Sequence, residues 1–170
     1  MNPFDCFTRA HATISECGLY RYTLTRGWSV GSSVTFVMLN PSTADGLTDD
    51  ATIRRCIGFA RREGHGSMHV VNLFALRSTW PGELVRAADP VGPENLRHVA
   101  ATLAASASVI VAWGAHPFAM RQEQWMLDCI RAYHLVPMCF GIANNGAPLH
   151  PLRLRRDTPL IPFPIPEKIR

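Results

Sequence analysis

The sequence has no long hydrophobic run and no N-terminal pattern typical of secretion. No stretch approaches the ~18 consecutive apolar residues that a membrane-spanning helix needs. The first residues, Met-Asn-Pro-Phe-Asp, lack a basic segment followed by an apolar one. We therefore expect a cytoplasmic protein without membrane contact. Its 170 residues suit one domain, which we expect to span 1–170 with a core at about 13–162.

Cysteines are few and lie in no metal-binding pattern. The five (Cys6, Cys17, Cys56, Cys129 and Cys139) form no CxxC pair, and no histidine lies at zinc-finger spacing from them. Their odd number and wide spacing are typical of reduced thiols that pack as small apolar side chains. We expect no metal site and no cofactor.

Acidic residues and lysine are scarce as well. The chain has 17 Lys and Arg residues against 13 Asp and Glu residues, a formal charge of +4, and Lys168 is its only lysine. Arginine is the side chain best suited to bidentate contacts with phosphate. The balance therefore favours DNA or a nucleotide as partner, although a GC-rich genome would also enrich arginine.

What the sequence does contain is an alternation of apolar runs and amphipathic segments. The runs 34–39, 68–73, 108–113 and 135–140 predict strands, and 50–63, 93–105 and 118–133 predict helices. This alternation predicts a three-layer α/β/α fold with a four-stranded parallel sheet in the order 2-1-3-4. Residues 15–24 predict an N-terminal hairpin or edge strand. We expect a monomer.

Polar residues follow these strands at their carboxyl ends. Asn40, Pro41, Ser42 and Thr43 come directly after the first strand, Asn72 ends the second, and His150 follows the fourth. Ligands of open α/β sheets bind at the loops that leave the carboxyl ends of the strands. We therefore expect Asn40, Asn72 and His150 to converge on one pocket.

These motifs carry two resemblances. The order Asn40-Pro41-Ser42, then Asn72 with 77–81, then His150-Pro151 resembles the uracil-DNA glycosylase superfamily, and its fold is implied with it. The four-cysteine pattern of the iron–sulfur branch is absent, so no cluster is expected. More closely, about 13–162 resembles an uncharacterised bacterial and phage family, a domain of unknown function, through segments 39–45, 50–56, 72–79, 89–95 and 150–154.

The glycosylase resemblance implies catalytic roles. Cleavage of an N-glycosidic bond needs a water near the sugar and hydrogen bonds to the departing base. Asn40 would orient the water, and Asp45, Asp49 or Asp50 would supply a carboxylate. Asp49 and Asp50 alternatively cap the following helix. His150 would donate to the base as negative charge develops.

The same resemblance implies binding roles. Asn72 would read the base edge with its amide donor and acceptor, and Pro41 with Phe74 or Trp28 would contact the base. The residues expected at phosphates are Ser42, Thr43, Arg77, Ser78, Arg153 and Arg155, with Arg156 beside them. Each aromatic can instead belong to the core, and each arginine to a solvated rim.

The resulting functional hypothesis is a glycosylase-like hydrolase that recognises a flipped, modified or damaged base in DNA and cleaves its N-glycosidic bond. Two alternatives remain open from the residues alone. One is a non-catalytic module that recognises a base or nucleotide, and the other is an enzyme on free modified nucleotides. The sequence does not specify the base.

Overall fold

The computed structural model describes residues 9–80 and 82–165. Within them, seven strands form one sheet in the order β1-β2-β4-β3-β5-β6-β7. The strands are β1 (Arg9–Ile14), β2 (Arg21–Gly27), β3 (Ser33–Met38), β4 (Ser67–Asn72), β5 (Ser108–Val111), β6 (Pro137–Cys139) and β7 (Ile161–Pro162). The helices are α1 (Ala51–Arg62), α2 (Gly82–Arg86), α3 (Asn95–Ala104) and α4 (Met120–Ala132).

The predicted fold class, a four-stranded parallel sheet like that of uracil-DNA glycosylases, is wrong. The sheet is mixed: β1–β2, β2–β4 and β6–β7 pair antiparallel, whereas β3–β4, β3–β5 and β5–β6 pair parallel. The missed strands are at or near the edges. β1 is largely exposed, and β7 has only two exposed residues, so neither contains the continuous apolar run that marks a strand buried on both faces.

The core lies on both faces of the sheet because side chains alternate along each strand. On β3, Val34, Phe36 and Met38 pack with α1 on one face. On the other face Val37 packs with α3 and α4 side chains, among them Val99. The helices therefore cover the sheet from two sides.

Helix α1 places its beginning beside the ends of β3, β4 and β5. Its N-cap is Asp50, whose Oδ1 accepts a hydrogen bond of 2.8 Å from the Ile53 N–H. Ile53, Cys56 and Phe59 are buried against the sheet, and the arginines of the helix face outwards. None of the helices in the described ranges is long and apolar enough to cross a membrane.

Candidate ligand-binding site

A cavity of about 310 Å³ opens at the carboxyl ends of β3, β4 and β5, next to the first turn of α1. Met38 and Asn72 line it from the strand ends, and Asp50, Thr52 and Ile53 line it from the helix. Parallel strands end at the same edge, so the side chains that follow them meet there. The cavity is near the lower limit of the ~300–1,000 Å³ typical of small-molecule sites.

Six of the residues predicted from the sequence line this cavity. They come from four separate loops or strand ends: Asn40, Ser42, Asp50, Asn72, Ser78 and His150. The other predicted residues are not among those lining it: Trp28, Pro41, Thr43, Asp45, Asp49, Phe74, Arg77, Arg153, Arg155 and Arg156.

Asn72 is the most unusual of the lining residues. Its side chain is 0% exposed, yet neither Nδ2 nor Oδ1 has a hydrogen-bond partner among the described residues. A buried polar group without a partner costs about 1–3 kcal/mol of stability. The amide thus has a donor nitrogen with two N–H groups and an acceptor oxygen, both unsatisfied and side by side, at the end of β4.

Two further buried side chains of the cavity have an unpaired donor. Trp113 is 1% exposed and Arg21 is 2% exposed, and within the described chain neither the Trp113 Nε1 nor the Arg21 Nε has a partner. The Arg21 Nη1 donates to the Ala44 carbonyl at 2.7 Å, which holds the side chain in place. Burial lowers the pKa of the Arg21 guanidinium to about 10, so it stays protonated at neutral pH.

The start of α1 contributes a carboxylate and a favourable dipole. Asp50 uses Oδ1 for its cap, and no hydrogen bond to its Oδ2 is found in the described part of the chain. The free amides of a helix N-terminus attract electronegative ligand atoms. The carboxylate and the amides together can orient a water molecule at the mouth of the cavity.

Two His-Pro pairs line the cavity in the same local conformation. The Nδ1 of His150 accepts from the Leu152 N–H at 3.3 Å, and the Nδ1 of His116 accepts from the Phe118 N–H at 3.2 Å. An Nδ1 that accepts this hydrogen bond places the proton of the neutral His150 ring on Nε2. Burial lowers the pKa of the His150 imidazole, against an opposing effect of the Asp50 charge, and so favours this neutral form.

Asn40 has a structural role that restricts its chemistry. Its Nδ2 donates to the carbonyls of Pro41 (3.0 Å) and Ser78 (2.8 Å), which ties the loop after β3 to the loop after β4. Both amide protons are used in this way. Only Oδ1 can contact a ligand or a water, and it can do so only as an acceptor.

Two of the three aspartates predicted as catalytic candidates, Asp45 and Asp49, lie outside the cavity. Asp45 Oδ1 accepts from the N–H groups of Leu47 and Thr48, both at 2.8 Å, and these hydrogen bonds lower the pKa of its carboxyl. Asp49 Oδ1 pairs with the Arg26 Nε at 2.8 Å. Both therefore hold the loop between β3 and α1, and Asp50 is the aspartate of this group that reaches the cavity.

The aromatic residues predicted to stack on a base are occupied elsewhere. Phe74 is 1% exposed and stacks on Phe118 at 4.7 Å in the core. Trp28 donates its Nε1–H to the His65 carbonyl at 2.8 Å and lies under the Arg61 guanidinium.

The predicted phosphate-binding arginines do not line the cavity. Arg77 donates to the Gly18 carbonyl at 3.2 Å, and Arg155 pairs with Asp157 at 3.0 Å. Arg153 is exposed.

Sequence reasoning missed Arg21, Trp113 and His116. One signal was present for His116, because His116-Pro117 repeats the pair His150-Pro151 and both follow strands of the sheet. Trp113 follows β5 closely, as Asn72 ends β4. No local signal marked Arg21, which lies on an antiparallel strand. Among residues 9–80 and 82–165, no group of three or more His, Cys, Asp or Glu side chains is arranged to hold a metal ion.

Comparison with known proteins identifies the family but no characterised relative. No curated protein and no solved structure matches the chain, so the glycosylase resemblance is not supported by either comparison. One family model matches, over residues 21–152, and this range contains every residue named above as lining the cavity. The chain belongs to the family described as "Protein of unknown function (DUF1643)".

Proposed function

We propose that the cavity binds a nucleobase, presented by a nucleic acid or a nucleotide. The observation that carries this proposal is the set of unpaired polar atoms on Arg21, Asn72 and Trp113, each at least 98% buried. These residues line a small cavity with apolar walls that include Met38 and Val70, and together they have three unpaired donor nitrogens and one unpaired acceptor oxygen. A flat heterocycle with adjacent donors and acceptors on its edge is the ligand class that satisfies such a set.

The size of the cavity supports a base over a whole nucleotide. At about 310 Å³ it accommodates a ring system, whereas sugar and phosphate would remain at the mouth. The hydroxyls of Ser42 and Thr79 line the cavity and are suited to those outer groups. The order of Asn40-Pro41, Asn72 and His150-Pro151 resembles that of the uracil-DNA glycosylase motifs, and the roles that we propose for Asn72 and His150 follow this resemblance.

A second function, hydrolysis of the N-glycosidic bond of the bound base, is favoured by Asp50 and His150. The Asp50 carboxylate would accept a proton from water as the water oxygen attacks the sugar carbon, and it would stabilise the positive charge that builds on the sugar. The neutral His150 would donate its Nε2–H to the departing base, which carries the electrons of the broken bond. The base finally takes up the proton that Asp50 accepted, which restores the carboxylate, and the sugar keeps the hydroxyl.

Binding is tested by calorimetric titration with a panel of free bases and nucleosides, including modified ones. We expect at least one to bind the wild type, and Asn72→Leu to abolish that binding because it removes the donor and the acceptor together. Asn144→Leu, at an exposed asparagine outside the cavity, is the matched control and should bind normally. Failure of the whole panel, or normal binding by Asn72→Leu, would refute the proposal.

Hydrolysis is tested with oligonucleotides that carry single modified bases, assayed for abasic sites by alkaline strand cleavage. Wild type should produce them with at least one base, and Asp50→Asn should reduce the rate by ~10²–10⁴-fold, the usual contribution of a general base. Base binding without abasic sites would leave recognition alone as the function.

A further inference from the structure

We propose that a groove along the outer face of α1 holds the phosphates of a nucleic acid strand whose base occupies the cavity. This inference rests on the proposed function and names its partner. The groove has a volume of about 600 Å³ and is lined by Arg54, Arg55, Arg62 and Arg156, with Ala51, Gly58 and Phe59 between them.

The charge of the groove is unbalanced. All four charged residues that line it are arginines. Arg62 pairs with Glu63, but Arg54, Arg55 and Arg156 make no ion pair with any carboxylate in the described residues. Several unpaired guanidinium groups in one concave surface favour a polyanion with regularly spaced charges, because each can make bidentate contacts with a phosphate.

Two of these arginines, Arg55 and Arg62, are held in position before any ligand binds. The guanidinium groups of Arg55 and Arg62 lie over the Phe59 ring, at 5.5 and 5.1 Å from its centroid. Arg62 also donates to the Arg156 and Thr158 carbonyls, at 2.7 and 2.6 Å, which fastens the chain at 156–158 to α1. Pre-ordered side chains lose less conformational entropy on binding.

The groove and the cavity are lined by consecutive residues at the start of α1. Ala51 lines the groove, and its neighbours Asp50 and Thr52 line the cavity. From Ala51 to Arg62 the helix extends over roughly 16 Å, enough for several phosphates of one strand at ~3.4 Å axial spacing. A base in the cavity and its flanking phosphates in the groove are therefore compatible with one continuous strand. An acidic protein segment would pair with the arginines of the groove but has no base to place in the cavity.

Gly58 offers a test that leaves the arginines untouched. It is an exposed residue within α1, and a Cβ there would meet no atom within 4 Å. Gly58→Glu and Gly58→Gln should both fold at least as stably as wild type, since glycine disfavours a helix interior. Only the first places a negative charge in the groove.

The experiment is fluorescence anisotropy with a labelled single-stranded oligonucleotide of mixed sequence, and with the same strand carrying the base from the calorimetric panel where one binds, measured across salt concentrations. With four phosphate contacts the log–log salt slope should be about −3, since each contact contributes ~0.7 in single strands. Gly58→Glu should weaken binding ~10-fold or more, whereas Gly58→Gln should stay within ~2-fold. Arg55→Gln with Arg156→Gln should lower the slope by ~1.4.

Arg86→Gln is the control for charge. Arg86 is exposed and ends α2, whose Leu84 packs on the opposite face of the sheet, so its loss should leave the slope unchanged. Equal affinity of Gly58→Glu and Gly58→Gln would overturn the groove assignment. An effect of Arg86→Gln as large as that of the groove variants would also overturn it, because the attraction would then come from net charge alone.

The groove and the cavity can fail separately. If the groove variants bind the strand normally while Asn72→Leu loses the base, the proposed function stands and the groove inference is refuted. If the salt slope responds to the groove variants but no base is bound, the groove holds a strand and the cavity assignment fails. Binding of a polyglutamate peptide as tight and as sensitive to Gly58→Glu as that of the strand would refute nucleic acid as the partner.

Discussion

The buried amide of Asn72 lowers the stability of the protein, and under the proposed function the same amide reads the base edge. Its buried amide has no partner in the described residues, so it costs about 1–3 kcal/mol relative to a satisfied or apolar side chain. The leucine side chain in Asn72→Leu has nearly the same shape as asparagine and has no polar atoms. We expect it to raise the free energy of unfolding by ~1–2 kcal/mol and to abolish base binding.

Urea unfolding of the ligand-free proteins measures this prediction. Asn95→Leu is the comparison. The Asn95 Nδ2 donates to the backbone carbonyl of Asn72 at 3.1 Å, and loss of this hydrogen bond should destabilise the protein. Destabilisation by Asn72→Leu of the same size as that by Asn95→Leu would show that the Asn72 amide is paired.

His150 predicts a pH dependence. Burial lowers the pKa of its imidazole below the ordinary value of ~6.5. The unfolded chain therefore binds the proton more tightly than the folded one, and stability from this group is complete above ~6.5 and falls as pH drops through the folded pKa. Protonation also removes the Nδ1 acceptor for the Leu152 N–H, so base binding should weaken over the same acidic range.

Unfolding free energies between pH 5 and 8, for wild type and His150→Gln, test this expectation. The free energy of unfolding of His150→Gln should fall less steeply than that of the wild type as the pH is lowered. His69, whose pKa burial also lowers, lies on β4 outside the cavity. His69→Gln should change the stability slope without changing the pH dependence of base binding, and a shift in binding with this variant would argue against His150.

Gly114 allows the close approach of His150 to the end of β5. It has φ of +79°, and a Cβ there would lie 3.3 Å from the His150 Cβ. Gly146 has φ of +85° with no atom within 4 Å of a Cβ. Both Gly→Ala changes should cost ~1–2 kcal/mol of backbone strain, but only Gly114→Ala should also weaken base binding.

Urea unfolding of the two alanine variants measures the cost of backbone strain. Calorimetric titration measures whether the contact with His150, which only Gly114→Ala makes, also weakens base binding. Equal base affinities in Gly114→Ala and Gly146→Ala would mean that the position of His150 is unimportant for binding.

At the scale of the element, the first turn of α1 combines a cap with a site residue. Asp50 accepts from the Ile53 N–H and lines the cavity. Asp50→Ala should lower the free energy of unfolding by ~1 kcal/mol because the cap is lost. Asp50→Asn keeps a capping oxygen, so it should stay close to wild type in stability.

The two variants separate capping from chemistry. If the carboxylate activates water, Asp50→Asn should lose abasic-site formation although its melting temperature is retained. Full activity in Asp50→Asn would assign Asp50 to the helix cap alone. Asp49→Asn, whose carboxylate pairs with Arg26 outside the cavity, is the control for loss of charge near α1.

At the scale of the whole molecule, the C-terminal segment joins the two halves of the core. Leu160 packs with the α1 cluster on one face of the sheet, and Phe163 packs at 5% exposure with the cluster on the other. Phe163 also meets Trp113, the cavity residue, edge-on at 5.9 Å. Phe163→Ala should therefore lower the free energy of unfolding by ~3–5 kcal/mol.

Ile161→Ala is the matched control, because Ile161 lies two residues away on β7 and is 39% exposed. Its cost should be much smaller. Comparable losses for the two variants in urea unfolding would indicate that β7 pairing, and not burial of Phe163, holds the segment in place.

Helix α1 and the buried strands follow from the sequence, because they depend on residues that are close together along the chain. The spacing of Ile53, Cys56 and Ala60 predicts α1, and the structure confirms a helix at Ala51–Arg62 with Asp50 as its cap. The buried strands β3 and β4 lie within one residue of the apolar runs that predict them. Such features follow from side-chain periodicity and capping, which act within a few residues of chain.

The edge strands of the sheet and the residues that line the cavity depend on contacts between distant segments of the chain. An edge strand needs no continuous apolar run, so β1 and β7 are defined by the strands they pair with. Hydrogen bonds across the fold decide which aspartate lines the cavity. Asp49 does not, because its carboxylate pairs with Arg26, which lies 23 residues away in sequence. The missing partners of Arg21, Asn72 and Trp113 are likewise a property of packing, because a side chain's burial and its partners depend on segments that only the folded chain brings together.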